Sequence, residues 1–315
     1  MRPLLLTLDA FNTLFHPRHP IPAQYAASAS AFNIPISPAA LQPAFKSAFK
    51  AQSRTHPNYG RDLALRGEFG GPRQWWEDVI RGSFARALAE SSSSNSNVKT
   101  AEIPDALVAD LLHRFASARG YKLYDDVRPF FERMRDKQKE GTRRRRVVIG
   151  VVSNSDDRVC SVLESLGVSV GETRAGEGSG HKLPGFEEER ERTSTPHPNT
   201  RDSVSPLQDQ GQTDVDFVLT SYQAGAEKPN PLVWDTALRT AQVLTDDVVG
   251  EEGGWECVHV GDDYGKDYRG AVDAGWKAYY LLRDSEAAAN AQEGTKTITS
   301  LLDLVTELGE FKQTN

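Results

Sequence analysis

The most constraining feature of this sequence is a series of short apolar runs, rich in β-branched residues, between segments of helical periodicity. Five runs are predicted to be buried parallel strands: residues 4–11, 147–154, 217–221, 257–260 and 278–282. After the second run, an amphipathic segment ends at Gly167, and after the third another begins at Pro231. The alternation predicts an α/β protein with a doubly wound, Rossmann-like parallel sheet, whose ligand site lies at the carboxyl ends of the strands.

The interval between the first two runs is too long for a simple crossover connection and is rich in helical periodicity. Apolar residues recur at helical spacing around residues 41–49, 76–84 and 107–115. We therefore expect residues 17–121 to form an inserted all-helical cap domain. The α/β core domain would comprise residues 1–16 and 122–315.

Two polar stretches lack hydrophobic periodicity. Residues 91–98 are nearly all Ser and Asn, and residues from about 171 to 213 are rich in Gly, Glu, Arg, Ser, Thr and Pro. Neither stretch can bury enough apolar surface to offset the entropy of ordering, so both are predicted to be disordered. The longer one follows a helix and precedes a strand, which places its ends opposite the carboxyl edge of the sheet.

Composition limits the class of protein and its partners. The 315 residues are 38% hydrophobic and 26% charged, with a formal net charge of -7, so a two-domain soluble protein without a nucleic-acid-binding face is expected. The apolar amino terminus is interrupted by Asp9 and is too short for a signal segment or a membrane span. We expect a cytoplasmic monomer or homodimer without a membrane partner, and a nuclear pool stays open.

Asp9 lies at the end of the first predicted strand, where a buried carboxylate is costly unless a cation or hydrogen bonds compensate. Taken alone, it is better interpreted as an ordinary helix- or turn-capping residue. Other predicted strand ends carry polar groups as well: Ser153 and Asn154, then residues 226–229, and then residues 261–267. Together they supply the hydroxyl, ammonium and carboxylate groups that hold a phosphoryl group and a hard divalent ion.

These strand ends carry four motifs that occur in one order along the chain. The motifs are residues 9–14 (DAFNTL), residues 151–154 (VVSN), Lys228 with Pro229, and residues 261–267 (GDDYGKD). In this order they resemble the motifs of the haloacid dehalogenase superfamily. The likeness extends into the predicted cap through residues 49–60 and 73–78.

The resemblance implies a hydrolase with an aspartate nucleophile. Asp9 would form an aspartyl-phosphate, Ser153 would hydrogen-bond the transferring phosphoryl group, and Lys228 would stabilise the developing charge. The implied substrate is a small phosphorylated molecule. An alternative interpretation of Lys228 is a surface lysine at the entrance to a helix.

The resemblance also implies a Mg²⁺ site. Asp262 would bind the ion together with Asp9 and the backbone carbonyl of Phe11. Asp267 would complete the site by supporting Lys228 or a metal-bound water.

Substrate contacts outside the motifs are predicted from the cap. Residues 53–60 lack helical periodicity and carry several polar groups, which is typical of a specificity loop. Asn58 and Tyr59, together with Asn154 of the core, are the predicted substrate-binding residues. For Trp75 and Trp76 a place in the helical core is favoured over ligand stacking.

Phe11 departs from the pattern of the phosphatases in this superfamily, which have a second aspartate two residues after the nucleophile. A phenyl ring can neither protonate a leaving group nor activate water, so a phosphatase of limited activity is expected. One alternative is a metal-free 2-haloacid dehalogenase, since that branch also has an aromatic residue here. The carboxylates of Asp262, Asp263 and Asp267 oppose it, because without a cation they crowd negative charge around Asp9. A further alternative is a non-catalytic binding or regulatory protein.

Overall fold

The computed structural model describes residues 2–92, 103–139, 146–171, 213–245, 254–284 and 291–310. Eight strands are present in these ranges: β1 (Leu4–Leu8), β2 (Phe15–Pro17), β3 (Tyr121–Leu123), β4 (Val147–Ser153), β5 (Phe217–Thr220), β6 (Glu256–Gly261), β7 (Lys277–Leu281) and β8 (Thr297–Ile298). Six of them form one parallel sheet in the order β5-β4-β1-β6-β7-β8. This doubly wound topology confirms the predicted Rossmann-like fold.

The register of the central strands sets the position of the site. All five residues of β1 are buried, and Leu8 lies opposite Val151 of β4 and Val260 of β6. Asp9 follows immediately, and its backbone N–H donates to the carbonyl oxygen of Val260 at 2.9 Å. Strands β4 and β5 lie on one side of β1, and the chain then forms β6, β7 and β8 on the other side. The carboxyl ends of β1 and β6 therefore border the crevice where sheets of this topology bind ligands.

Eleven α-helices are present in the described ranges: α1 (Ile21–Ala31), α2 (Pro38–Thr55), α3 (Arg61–Leu65), α4 (Gly71–Ser92), α5 (Asp105–Arg114), α6 (Val127–Lys139), α7 (Arg158–Ser165), α8 (Ser221–Ala224), α9 (Pro231–Leu244), α10 (Gly270–Asp273) and α11 (Leu301–Glu310). A 3₁₀ turn (Pro57–Gly60) precedes α3, and a π-helical turn (Tyr264–Arg269) precedes α10. Helices α1 to α5 all lie between β2 and β3, as the predicted helical cap requires.

The helices of the cap region pack through aromatic side chains on their inward faces. Tyr25 of α1 stacks on Phe84 of α4, with ring centroids 5.9 Å apart, and contacts Phe45 of α2 edge to face at 5.4 Å. Ser37 caps α2, because its side chain accepts a hydrogen bond from the backbone N–H of Ala40. Apolar burial and capping thus both support the helices that the periodicity predicted.

A two-stranded antiparallel sheet lies where the chain enters and leaves the cap region. Its strands β2 and β3 pair Pro17 with Tyr121 and Phe15 with Leu123. The sequence did not predict this sheet or β8, because strands of two or three residues are too short to show alternation. The proposed domain boundaries, after residue 16 and before residue 122, fall at this sheet and stay a prediction.

Several predicted boundaries differ from the structure. The first predicted strand ends at Leu8 rather than at residue 11, because the chain turns directly after Asp9. The segment 53–60, predicted to be non-helical, contributes its first three residues to α2. Residues 91 and 92, predicted to be disordered, belong to the end of α4, whereas 93–98 and 172–212 lie outside the described residues.

The flanks of the long polar stretch are tied together at the edge of the sheet. Val170 forms a parallel bridge with Val215, and the backbone N–H of Gly171 donates to the carbonyl oxygen of Val215 at 2.8 Å. These contacts precede β5, at the amino end of that edge strand, whereas Asp9 lies past the carboxyl end of β1. Among the described helices, none has the length and apolarity needed to cross a lipid bilayer.

Candidate functional site

A buried ammonium group joins two carboxylates at the carboxyl edge of the sheet. The Nζ atom of Lys228 lies 2.6 Å from an oxygen of Asp9 and 2.6 Å from an oxygen of Asp267, and donates to the carbonyl oxygen of Val152 at 2.8 Å. Lys228 is only 3% exposed. The three contacts use all three of its donors, so the ammonium is fixed beside Asp9 and is not a surface helix-entry lysine.

The backbone of Lys228 is held by Asn154 at the end of β4. The side-chain oxygen of Asn154 accepts from the backbone N–H of Lys228 at 2.6 Å, and its nitrogen donates to the Lys228 carbonyl oxygen at 3.0 Å. Asn154 was predicted to bind substrate; its amide here positions the lysine. The neighbouring Ser153, predicted to contact the phosphoryl group, is buried at the same strand end.

Three carboxylates meet beside Lys228. Oxygen atoms of Asp9, Asp262 and Asp267 lie within 4.8 Å of one another, and the hydroxyl of Thr13 donates to Asp262 at 3.4 Å. One ammonium cannot balance three carboxylates, and carboxylate oxygens are the ligands that hard divalent cations prefer. The donor set therefore fits such a cation.

Asp267 is already engaged by protein donors. One of its oxygens accepts from Lys228, and the other accepts from the backbone N–H of Asp263 at 3.0 Å. Asp9 and Asp262 are consequently better placed than Asp267 to bind an ion directly. The predicted ligand role of the Phe11 carbonyl oxygen stays a prediction.

The acidities of the three carboxyl groups differ. Burial raises the pKa of Asp9 to about 7, against the attraction of Lys228 and with the repulsion of the other two carboxylates. Burial and the charge of Asp267 raise the pKa of Asp262 to about 6. Burial alone would also raise the pKa of Asp267, but Lys228 and His259 hold it well below its ordinary value. Without a further cation, Asp9 is thus the carboxylate that gains a proton most readily.

A buried histidine that the sequence analysis did not single out supports Asp267. His259 of β6 has no exposed surface; its Nε2 atom lies 3.3 Å from Asp267, and its Nδ1 atom lies 2.8 Å from the hydroxyl of Thr7 on β1. Burial lowers the pKa of His259, so the ring is neutral. Both contacts are satisfied when Nε2–H donates to Asp267 and Nδ1 accepts from Thr7. The sequence signal for this pair was the presence of polar residues inside two buried strands, because a buried polar side chain needs a hydrogen-bond partner.

Phe11 turns its ring toward other aromatic side chains. It contacts Phe15 at a centroid distance of 4.8 Å and Tyr121 at 5.6 Å, both edge to face. Asn12, directly after it, has a φ of 56°, a left-handed conformation that Asn tolerates well. The position that would hold an acid in the resembling phosphatases is therefore part of an aromatic cluster.

The predicted specificity loop reaches the core. Asn58 and Tyr59 both have left-handed backbone conformations, with φ values of 44° and 60°. The side chain of Asn58 donates to the carbonyl oxygen of Ser221 at 2.8 Å, and the Tyr59 hydroxyl lies 3.5 Å from the carbonyl oxygen of Asn154. These two residues with left-handed backbone thus place the loop against two strand ends of the core, and their predicted contact with substrate stays a prediction.

A second buried ion pair joins the cap region to the core. The guanidinium of Arg158 contacts both carboxylate oxygens of Asp156, at 2.7 and 2.9 Å. It also lies 4.2 Å above the ring of Trp76, whose Nε1–H donates to Asp156 at 2.8 Å. Trp75 is buried and donates to the backbone of the cap region, as expected for a core residue. Trp76, by contrast, is half-buried and contacts the α/β core.

Comparison with known proteins shows which sequences this chain resembles. A family model described as HAD-hydrolase-like matches residues 225–308. Haloacid dehalogenase-like hydrolase domain-containing protein 3 of Bos taurus is 29% identical over 277 residues, which are 88% of this chain and 81% of that protein. The human protein of the same name is 28% identical, with the same shares of the two chains covered. These matches confirm the predicted resemblance to the haloacid dehalogenase superfamily.

Solved structures of haloacid dehalogenase-like proteins share the fold. A defluorinating L-2-haloacid dehalogenase aligns with a TM-score of 0.54 at 16% identity, over 98% of this chain and 95% of its own. A HAD-hydrolase of Bacillus subtilis, solved with bound magnesium, aligns with a TM-score of 0.51 at 13% identity, over 98% of this chain and 99% of its own. At these identities the likeness establishes the fold of the superfamily and not the reaction.

Proposed function

We propose that this chain is a Mg²⁺-dependent, phosphatase-type hydrolase of small phosphorylated molecules, with Asp9 as nucleophile and a low intrinsic rate. The observation that carries the proposal is the position of Lys228, which contacts Asp9 and Asp267 at 2.6 Å beside the carboxylate of Asp262. The proposed nucleophile, the lysine ammonium and a surplus of carboxylate charge thus lie together at the carboxyl edge of the sheet. This is the charge distribution that phosphoryl transfer with a divalent ion requires.

The side chains of Asp9 and Asp262, with the carbonyl oxygen of Phe11, would hold the ion, and Asp267 would keep Lys228 in place. When bound, Mg²⁺ supplies positive charge for the phosphoryl oxygens and favours the ionised form of Asp9. Ionisation matters because burial raises the pKa of Asp9 to about 7, and only the carboxylate can attack phosphorus.

The protein groups then have distinct tasks. An oxygen of Asp9 forms a bond to phosphorus, and the bond from phosphorus to the leaving oxygen breaks, with the electron pair going to that oxygen. Lys228 and the hydroxyl of Ser153 stabilise the charge on the phosphoryl oxygens during this step. Water afterwards hydrolyses the aspartyl-phosphate. Since Phe11 donates no proton, the leaving group must depart as an anion, which keeps the rate on poor leaving groups low.

Turnover of acetyl phosphate and 4-nitrophenyl phosphate, assayed with Mg²⁺ and with EDTA, tests the proposal. Turnover is expected only with Mg²⁺ and should be lost in Asp9→Asn. The matched control is Asp263→Asn, which removes a carboxylate from the same motif but outside the three-carboxylate cluster, and it should retain activity. Activity that survives Asp9→Asn would contradict the proposal.

A metal-free 2-haloacid dehalogenase is the second candidate, and the aromatic Phe11 favours it. Asp9 would then attack carbon and displace a halide. The carboxylates of Asp262 and Asp267 oppose this function, because without a cation they repel the negative charge of Asp9. Chloride release from 2-chloropropionate in EDTA would identify a dehalogenase. Mg²⁺ binding without turnover of any of these substrates would favour a non-catalytic binding protein.

A further inference from the structure

A pocket that opens to solvent lies between the cap helices and the start of α7. Nine of its ten lining residues are apolar or aromatic, among them Ile21, Phe45 and Leu112, and the tenth is Arg158. Such a lining excludes a strongly hydrated ligand and suits one with an aromatic or apolar body.

The polar groups of the pocket are few and bear no net charge. Tyr25 and Tyr121 are 2% and 6% exposed, and within the described residues neither hydroxyl has a hydrogen-bond partner. Burial raises the pKa of Tyr121 to about 12, so its hydroxyl is protonated at neutral pH. Arg158 is neutralised by its two contacts with Asp156. Two tyrosine hydroxyls in the lining that bind no protein group among the described residues can form hydrogen bonds with a neutral ligand.

The pocket borders the aromatic cluster that replaces the usual acid. Tyr121 lines the pocket, and its ring contacts the ring of Phe11 at a centroid distance of 5.6 Å. On another side, Arg158 binds Asp156, two residues after Asn154, which holds Lys228. A molecule in the pocket would therefore lie next to the side of the site where a leaving group would otherwise receive its proton.

We propose that this pocket binds the phenolic leaving group of the substrate, which makes aryl phosphate monoesters the substrate class. The proposal rests on the proposed function of Asp9. In the reaction, an oxygen of Asp9 bonds to phosphorus, the bond to the aryl oxygen breaks, and the phenoxide carries the electron pair away and takes a proton from water. A phenoxide is a stable anion that can leave without a proton donor, so the pocket and the missing acid favour the same substrate.

Binding of the leaving group alone tests the pocket independently of catalysis. The probe is 4-fluorophenol, titrated into the full chain and followed by ¹⁹F NMR. Leu112 lines the pocket and is only half-buried, so Leu112→Trp fills the space without overpacking the core and should raise the dissociation constant at least about tenfold. Leu88→Trp, at a half-buried cap position that does not line the pocket, is the matched control and should leave the dissociation constant unchanged.

A gentler variant covers the case in which Leu112→Trp fails to fold in a thermal melt. Tyr25→Phe retains the ring contacts and removes one hydroxyl, and should weaken 4-fluorophenol binding about threefold to tenfold, as expected for one lost hydrogen bond. Kinetics supply the second measurement. In Leu112→Trp, the ratio of kcat/KM for 4-fluorophenyl phosphate to kcat/KM for acetyl phosphate should fall at least about tenfold, since acetate leaves without occupying an aromatic pocket.

The outcomes separate the two proposals. Absence of 4-fluorophenol binding, or equal binding by the parent, Leu112→Trp and Tyr25→Phe, overturns the pocket assignment whatever the protein hydrolyses. Pocket-dependent 4-fluorophenol binding with turnover that survives Asp9→Asn leaves the pocket assignment standing and overturns the proposed role of Asp9.

Discussion

At the scale of single residues, one ammonium faces three carboxylates, so the protonation of Asp9 depends on whether a further cation is present. In EDTA at pH 8, Asp9→Asn is expected to be more stable than the parent, by roughly 1 kcal/mol or more, because one pKa unit corresponds to about 1.4 kcal/mol. The folded pKa of Asp9, about 7, lies above its ordinary value of 3.8. Between these values the unfolded chain releases a proton that the folded chain retains, so the parent loses stability as pH rises.

The measurement is the difference in unfolding free energy between parent and Asp9→Asn, from urea denaturation at pH values from 4 to 8. The difference should narrow as the pH falls toward the ordinary pKa of 3.8, because the folded and unfolded chains then differ less in how much of the Asp9 proton they bind. Excess Mg²⁺ should reduce or reverse it at pH 8, because only the parent has the Asp9 carboxylate. A difference that is independent of pH in EDTA would contradict the raised pKa.

Phe11 gives the second prediction at this scale. Phe11→Asp restores a carboxyl group where related phosphatases have one, and activity on alkyl phosphates should rise at least about tenfold, a modest fraction of what a well-placed acid contributes. The substitution also removes ring contacts with Phe15 and Tyr121, so a thermal melt must first show that the variant folds. A folded, Mg²⁺-binding variant without any gain on several alkyl phosphates would favour a non-catalytic protein.

The motif residues of the site were predictable from the sequence, because Asp9, Lys228 and Asp262 follow recognisable strand ends. The supporting residues were not. His259 lies within a run predicted only as an apolar strand, and its partner Thr7 comes from a distant part of the chain, whereas Asp267 follows eight residues later in the next motif. Their contacts depend on which strands are neighbours and in which register, and that is set by the whole sheet rather than by local pattern.

At the scale of secondary structure elements, the Arg158–Asp156 pair connects α7 of the core with Trp76 of α4. Asp156→Asn is expected to lower the free energy of unfolding by about 3–5 kcal/mol, because it leaves a buried guanidinium without its counter-charge. Both side chains are at most 9% exposed. The matched control is Asp273→Asn in the Arg269 pair, whose side chains are 49% and 62% exposed, with an expected loss of about 0–1 kcal/mol.

Urea denaturation of both variants decides this prediction, and equal losses would show that the buried pair adds no stability beyond an exposed one. The sequence offered little sign of the connection. The periodicity of residues 76–84 correctly predicted a helix, and Trp76 was placed in its core. Periodicity describes which face of a helix is apolar, but it does not indicate that a residue at the edge of that face meets a charged pair from another part of the chain.

At the scale of the whole molecule, the long polar stretch is expected to be dispensable. Replacing residues 172–212 by a short Gly-Ser linker should leave the melting temperature and the Mg²⁺ affinity unchanged, because the flanks are already joined through Val170, Gly171 and Val215. Asp216 anchors the same end by accepting from the backbone N–H of Ile149 at 2.7 Å. A destabilisation of about 1 kcal/mol corresponds to a fall of about 2–4 °C in the melting temperature. A larger fall, or weaker Mg²⁺ binding, would contradict this expectation.

The doubly wound parallel sheet was predictable at this scale, since alternating strand and helix patterns allow few topologies. The small antiparallel sheet of β2 and β3 was not. Its strands lie over a hundred residues apart in sequence, and Phe15 and Tyr121 are brought together by packing with Phe11. Such short strands are stabilised by tertiary contacts rather than by local preference.

The aromatic surroundings of Phe11 affect how long a phosphorylated Asp9 would last, as well as how fast it would form. Under the proposed chemistry, this position also has no base to activate the water that releases phosphate from Asp9, a contribution of about a hundredfold to ten-thousandfold in enzymes that have one. A good leaving group would load Asp9 quickly, and release would be slow. The phosphorylated chain would then accumulate. After a brief exposure to substrate, Asp9 would stay phosphorylated for a time that depends on the absence of a base at Phe11.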